Sequence, residues 1–100
     1  MWIIKNRVTG EYERKGIYGA RDKFNRNAWG TLAQAKCHVA YKGYDEWFME
    51  ADFVEVTEEG TGRIMPVSEY LRKYYGKDKW APAWIKRRLG LLPEPPREET

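Results

Sequence analysis

A chain of 100 residues, one third of them charged and with a net charge of +3, has room for one hydrophobic core and excludes two cores that each shut out water. Five Trp, seven Tyr and three Phe let that core be built from few side chains, while a lone cysteine, Cys37, excludes an intramolecular disulfide and points to a reducing compartment. No apolar run is long enough to cross a bilayer or to act as a signal-peptide core. The chain therefore reads as soluble and cytoplasmic, with no membrane partner. Opening on Met1 without a leader, it reads as a complete small gene product.

Trp2 to Val8 is aromatic and β-branched with partial alternation, which predicts a strand whose Trp2, Ile4 and Val8 share a face that Asn6 interrupts. Thr9-Gly10 supplies a turn, and Glu11 to Tyr18 predicts a second strand, bent or weakened by Gly16 and Gly19, so that the two form a hairpin. Residues 20–30 are polar around Phe24 and Trp29, which are expected to pin a loop to the core. Thr31 and Gln34 then fit a capping box, and Leu32, Ala35 and Val39 fall at the spacing of a buried helical stripe. Ala33, Cys37 and Ala40 form a small-residue flank that would let this helix sit close to a sheet. Lys42 and Gly43 suit its C-terminal end. Tyr44 to Met49 reads as a connection and Ala51 to Glu58 as the third strand.

The fold class this predicts is α+β: a three-stranded antiparallel or mixed sheet in ββαβ order with one packed helix, followed by a C-terminal helical extension. Residues 1–92 form one domain, with the ββαβ core in 1–60, a basic aromatic extension in 61–92 and a disordered tail in 93–100. Charge marks the break at Gly60-Thr61-Gly62. Residues 1–60 hold nine Lys/Arg against ten Asp/Glu, a net of −1, whereas 61–92 hold eight against two, a net of +6, and the tail holds one against three. In the extension, Ser68 is placed to cap a helix over 69–75 ended by Gly76, and Pro82 to open a second that runs to Gly90.

The extension supplies the first candidate surface: Arg72, Lys73, Lys77, Lys79, Trp80, Trp84, Lys86, Arg87 and Arg88, with Arg63 and the tyrosines 70, 74 and 75 nearby. Cations that displace counterions from phosphates, beside rings on which bases stack, are the requirements of nucleic-acid binding. Aromatics and arginines are equally the residues enriched at protein hot spots. The plainer alternative is that the rings pack two short helices onto the sheet and the cations keep that surface soluble. A second surface is acidic: Asp45, Glu46, Glu50 and Asp52 lie in a stretch without Lys or Arg. It could dock on a basic surface that normally holds nucleic acid, or serve as solvated charge flanking an edge strand.

Catalytic and metal chemistry find no support in the pattern. Cys37 and His38 are adjacent on a helix and point about 100° apart, and one Cys with one His makes neither a zinc site nor a nucleophile and base pair. Ser68 is the only serine and is used as a cap, no pair of carboxylates stands out, and no phosphate-cradling glycine motif occurs. The chain is expected to be no enzyme and to need no cofactor or metal.

The segments WIIKN, TGEY, WGTL, AQAKCHV and DFVEV together resemble small open reading frames common in bacteriophage and prophage genomes. The resemblance covers about three fifths of the chain and leaves out everything from Arg63 onwards. It implies a non-enzymatic binder that redirects or blocks a host machine, as anti-CRISPR and other anti-defence proteins do. The expected function is thus a phage-encoded inhibitor of a bacterial nucleic-acid-handling defence complex, acting as a monomer or dimer on a host protein or ribonucleoprotein. The alternative is a small accessory protein that binds DNA or RNA through the basic segment.

Overall fold

The computed structural model of the protein describes residues 1–16, 20–42 and 45–92. The expected tail, the Gly43 stop and Ile17 to Gly19 of the expected second strand lie outside them. The elements are β1 (Trp2–Asn6), α1 (Leu32–Lys42), a 3₁₀ turn (Glu46–Glu50), β2 (Ala51–Thr57), β3 (Gly60–Pro66), α2 (Val67–Gly76) and α3 (Ala83–Arg88). The strands form one antiparallel sheet in the order β1-β2-β3. The class is α+β, with a three-stranded antiparallel sheet, a packed helix and C-terminal helices.

The order of elements departs from ββαβ, because the partner of β1 is β2, with Trp2 opposite Glu55 and Asn6 opposite Ala51. The Thr9-Gly10 turn does form: buried Asn6 accepts the backbone N–H groups of Val8 and Thr9 through Oδ1 at 2.8 and 3.0 Å, and Gly10 takes a φ of +76°. The chain then returns along β1 for only three residues. Asn6 N–H donates to Glu11 O and Glu13 N–H to Ile4 O, both at 2.8 Å. Beyond that, the Glu13 side chain is held inside the protein and Gly16 takes a φ of +88°, outside the range of a strand, so no second strand is laid down here among the described residues. Trp29 completes the cover of this edge by exchanging two 2.7 Å backbone hydrogen bonds with Trp2.

The third strand of the sheet is the stretch that charge marks as a boundary. Glu58 and Glu59 turn with negative φ, Gly60 absorbs the reversal at φ +125°, and Gly60 to Pro66 pairs back on β2. Gly60-Thr61-Gly62 is therefore part of a β-hairpin and no linker. A Cβ at Gly62 would meet the end of the Glu55 side chain and make that carboxylate shift from its place against Arg63.

All helices cover one face of the sheet. Trp2, Ile4, Ala51 and Phe53 point into a core closed by Ala35 and Val39 of α1, Phe48 of the 3₁₀ turn, Leu71 and Tyr75 of α2 and Ile85 and Leu89 of α3. Side chains such as Phe53 and Ile4 each add roughly 1.5–3 kcal/mol by leaving water. The inward face of β1 runs on to Asn6, which is buried, whereas Val8 is exposed. The sequence alternation put these two in each other's place: Asn6 is retained inside because both ends of its amide are used, Nδ2 donating to Trp47 O at 3.1 Å. The capping box of α1 is present in both directions, Gln34 N–H to Thr31 Oγ1 and Thr31 N–H to Gln34 Oε1, each at 3.2 Å. Its small-residue flank faces outward, with Ala33 and Cys37 exposed, so the close contact expected there is absent and the buried stripe alone seats the helix. Of the two loop aromatics, Trp29 is in the core and Phe24 stands 90% exposed.

Candidate partner-binding surfaces

The helix α2 buries Val67, Leu71 and Tyr75, one residue every four. Pro66 is its N-cap and makes no side-chain cap bond, so Ser68 lies within the first turn and does not cap. The helix α3 starts after Pro82 and buries Ile85. It ends in a Schellman motif: Leu91 N–H donates to Lys86 O at 2.8 Å and Gly90 N–H to Arg87 O at 3.1 Å, with Gly90 at φ +74°. Lys86, Arg87 and Arg88 occupy its last turn, where the helix dipole favours cations.

Leu71, Tyr75, Ile85 and Leu89 fill the core and Tyr70 packs against it, whereas the other aromatics of this region stand partly or wholly outside. Trp80 is 90% exposed, Trp84 44% and Tyr74 43%. Arg72, Lys73, Lys77, Lys79 and Arg87 are exposed as well, and among the described residues none of these five forms an ion pair. Lys86 is half-buried. Arg88 is joined to Glu46 at 3.3 Å, both side chains being half exposed, which ties the basic and acidic segments together. Around α2, Tyr70, Lys73, Tyr74, Lys77 and Asp78 line a shallow hollow of about 520 Å³.

The four acidic residues do not share one face. Asp45 caps the 3₁₀ turn by accepting Trp47 N–H at 3.0 Å and receives Arg21 Nη2 at 2.6 Å. Glu46 meets Arg88 on α3. Asp52 lies on the opposite side of the sheet and pairs with Arg7 at 3.1 Å, and Glu50 is half-buried. Three of the four thus have a cation of the same chain beside them.

One cluster has no local signature in the sequence. Glu13 is fully buried and receives Arg21 Nε at 3.2 Å and Nη2 at 3.4 Å, the Arg14 backbone N–H at 3.1 Å, and a contact from His38 Nε2 at 3.2 Å. Arg21 in turn lies 4.1 Å from the ring centroid of Trp47 and 5.1 Å from that of Phe48, and the His38 ring lies 4.8 Å from that of Trp29. Burial acts to raise the Glu13 pKa, but the contact from His38 and the hydrogen bonds and charge of Arg21 outweigh it and hold the carboxyl below its ordinary value of 4.5. This arrangement joins the loop before α1, α1 itself and the 3₁₀ turn. Its members come from positions 13, 21, 38 and 45, with no helical or strand spacing among them, so only the assembled fold brings them together.

The other face of the sheet carries no helix and is covered only in part. Ile3, Val54 and Ile64 stand side by side across the three strands, with Ile3 buried, Val54 half-buried and Ile64 59% exposed, along an open groove of about 790 Å³ that Lys5, Arg7, Tyr12 and Arg26 help to line. Cys37 is exposed and His38 turned inward, so the two do not face each other. Among the described residues no group of three or more His, Cys, Asp or Glu converges so as to hold a metal ion, and no helix is long and apolar enough to cross a membrane. Comparison of the chain with protein-family models, with curated proteins and with solved structures finds no match.

Proposed function

We propose that the protein is a non-enzymatic binding protein whose partner is single-stranded nucleic acid, held by the cations and rings of α2, α3 and the turn between them. The observation that carries this reading is the exposure of Trp80, Trp84 and Tyr74 near Arg72, Lys73, Lys77, Lys79 and Arg87, which form no ion pair among the described residues. An exposed Trp is costly to leave in water, and rings beside ammonium and guanidinium groups are the elements of a sequence-tolerant nucleic-acid surface. The test is a fluorescence-anisotropy titration of labelled single-stranded DNA and RNA at several salt concentrations. Affinity should fall linearly in log[salt], by about 0.7 per phosphate contacted. Absence of binding at low salt overturns the reading.

A second reading is favoured by the open sheet face. The exposed Ile64 beside half-buried Val54 is an apolar patch of the kind a protein partner covers, which fits a phage-encoded inhibitor of a bacterial defence complex acting on a host protein or ribonucleoprotein. Here the tagged protein should retain a stoichiometric partner from a bacterial lysate, and an Ile64→Lys variant should lose it. Retention unchanged in that variant would remove the sheet face from consideration.

A further inference from the structure

The periodicity of α2 does more than bury one stripe. With Leu71 and Tyr75 inward, the 100° step per residue sets Tyr70 and Tyr74 one turn apart on a single flank and Lys73 and Lys77 one turn apart beside them. A ladder of two rings therefore runs alongside a ladder of two ammonium groups. The rings are stacked on each other, with centroids 5.8 Å apart and planes inclined by 29°.

Both rings are held from behind. Tyr70 meets Phe53 of the core edge to face at 6.2 Å, and Lys36 of α1 places Nζ 5.6 Å from its centroid. Burial, with the neighbouring Tyr74 and Cys37, raises the Tyr70 pKa above its ordinary value of 10.0 and keeps the phenol neutral. Tyr74 meets Tyr75 edge to face at 5.1 Å and still exposes 43% of its surface. A ring fixed on two sides and open on a third gives up little freedom when something stacks on it.

We propose that the hollow bounded by Tyr70, Lys73, Tyr74 and Lys77 is a stacking slot for a base of single-stranded nucleic acid, with the two lysines taking the flanking phosphates. This rests on the reading of the protein as a nucleic-acid binder and assigns it a specific contact. The volume of about 520 Å³ is in the range of small-ligand sites. Charge matches the occupant, since Lys36, Lys73 and Lys77 surround the rings. Of the nearby acids, Asp78 at the end of the slot accepts the Trp80 backbone N–H at 2.9 Å, and Glu69 lies in the first turn of the helix. The turn at Asp78 leads in sequence to Trp80, whose ring is 90% exposed.

The decisive comparison uses two oligonucleotides of equal charge, a single strand of about 12 nucleotides and its fully abasic counterpart. The protein should bind the base-bearing strand about tenfold more tightly. Tyr74→Ala should reduce that preference severalfold without changing the salt slope, whereas Tyr74→Phe should keep it. The double change Lys73→Gln with Lys77→Gln should weaken both strands and lower the salt slope by about 1.4. A Tyr74→Ala protein that keeps its helical circular dichroism and its full preference for bases overturns the slot while leaving the general reading in place. Equal affinity of the unaltered protein for both strands also overturns the slot, and failure of both strands to bind at low salt overturns the nucleic-acid reading itself.

Discussion

Two regions of this protein use the same residue types to opposite ends. Around Glu13, a guanidinium lies over tryptophan and phenylalanine rings and its N–H groups are spent on buried or half-buried carboxylates. Around Trp80 and Tyr74, cations stand in solvent, Trp80 is almost wholly exposed and Tyr74, stacked on Tyr70, keeps 43% of its surface open. Arg21 and Trp47 are satisfied within the fold, and so contribute to stability and have nothing left to offer a partner. Arg72, Lys77 and Trp80 contribute little to stability and have everything left to offer. Composition does not separate the two cases. Burial does, and it also decides which substitutions should be felt as unfolding and which as loss of binding.

That contrast is most readily broken at Arg21. Arg21→Leu leaves Glu13 buried without its main cation, and should cost about 3–5 kcal/mol of unfolding free energy, read from urea denaturation at neutral pH. A loss below 1 kcal/mol would show that the cluster does not bear on stability. Acid should act on the same group. Because Glu13 titrates below its ordinary 4.5 in the folded protein, the unfolded chain binds the extra proton first. The stabilisation is then full above pH 4.5 and is lost as pH falls through the folded value. Glu13→Gln should accordingly be less stable than the unaltered protein at pH 7, and this gap should narrow in acid. A gap that stays constant from neutral pH to pH 3 would contradict the assignment.

The outward region should respond in the other sense. Trp80→Ala should shift stability by no more than about 0.5 kcal/mol while weakening binding to single-stranded nucleic acid severalfold, measured on one preparation by melting and by anisotropy. A Trp80 variant that melts early would place this ring in the structural group after all. The smallest effect belongs to Cys37→Ala, an exposed thiol whose loss should leave melting and binding unchanged. Its neighbour sharpens the point: His38→Gln, which removes the ring against Trp29 and Glu13, should cost about 1 kcal/mol and leave binding intact.

Much of the fold is legible in the sequence where the cause is local. The capping pair Thr31 and Gln34, the stripe of Ala35 and Val39, the strand character of 2–6 and 51–57 and the Gly90 stop each depend on residues within one or two turns of each other. The hairpin partner of β1 is a different kind of fact. Alternation in Glu11 to Tyr18 is weak, and the choice of Ala51–Thr57 as partner is made by the core face that Trp2, Ile4 and Phe53 build together. Gly60 to Pro66 conceals its strand behind two glycines and a proline, residues that count against a central strand yet suit an edge. The candidate surface follows the same division. Sequence picks out its cations and rings, but which rings stay outside is decided by the seating of α2 and α3. The Glu13 cluster, assembled from four distant segments, has no pattern to read.

The pairing of β1 with β2 also sets a schedule for synthesis. The apolar segment Trp2 to Ile4 leaves the ribosome early, yet its partners, from Ala51 to Glu55, follow only about fifty residues later. At typical elongation rates of about 5–20 residues per second, the first strand spends some ~3–10 s without them. During that interval it has only the turn at Thr9-Gly10 and the short return through Glu13 to shield it. The bonds from Val8 and Thr9 to Asn6 Oδ1 and the backbone bonds to Glu11 and Glu13 need no residue beyond position 13, so this short return is the first neighbour of β1 to be made while the sheet waits for β2.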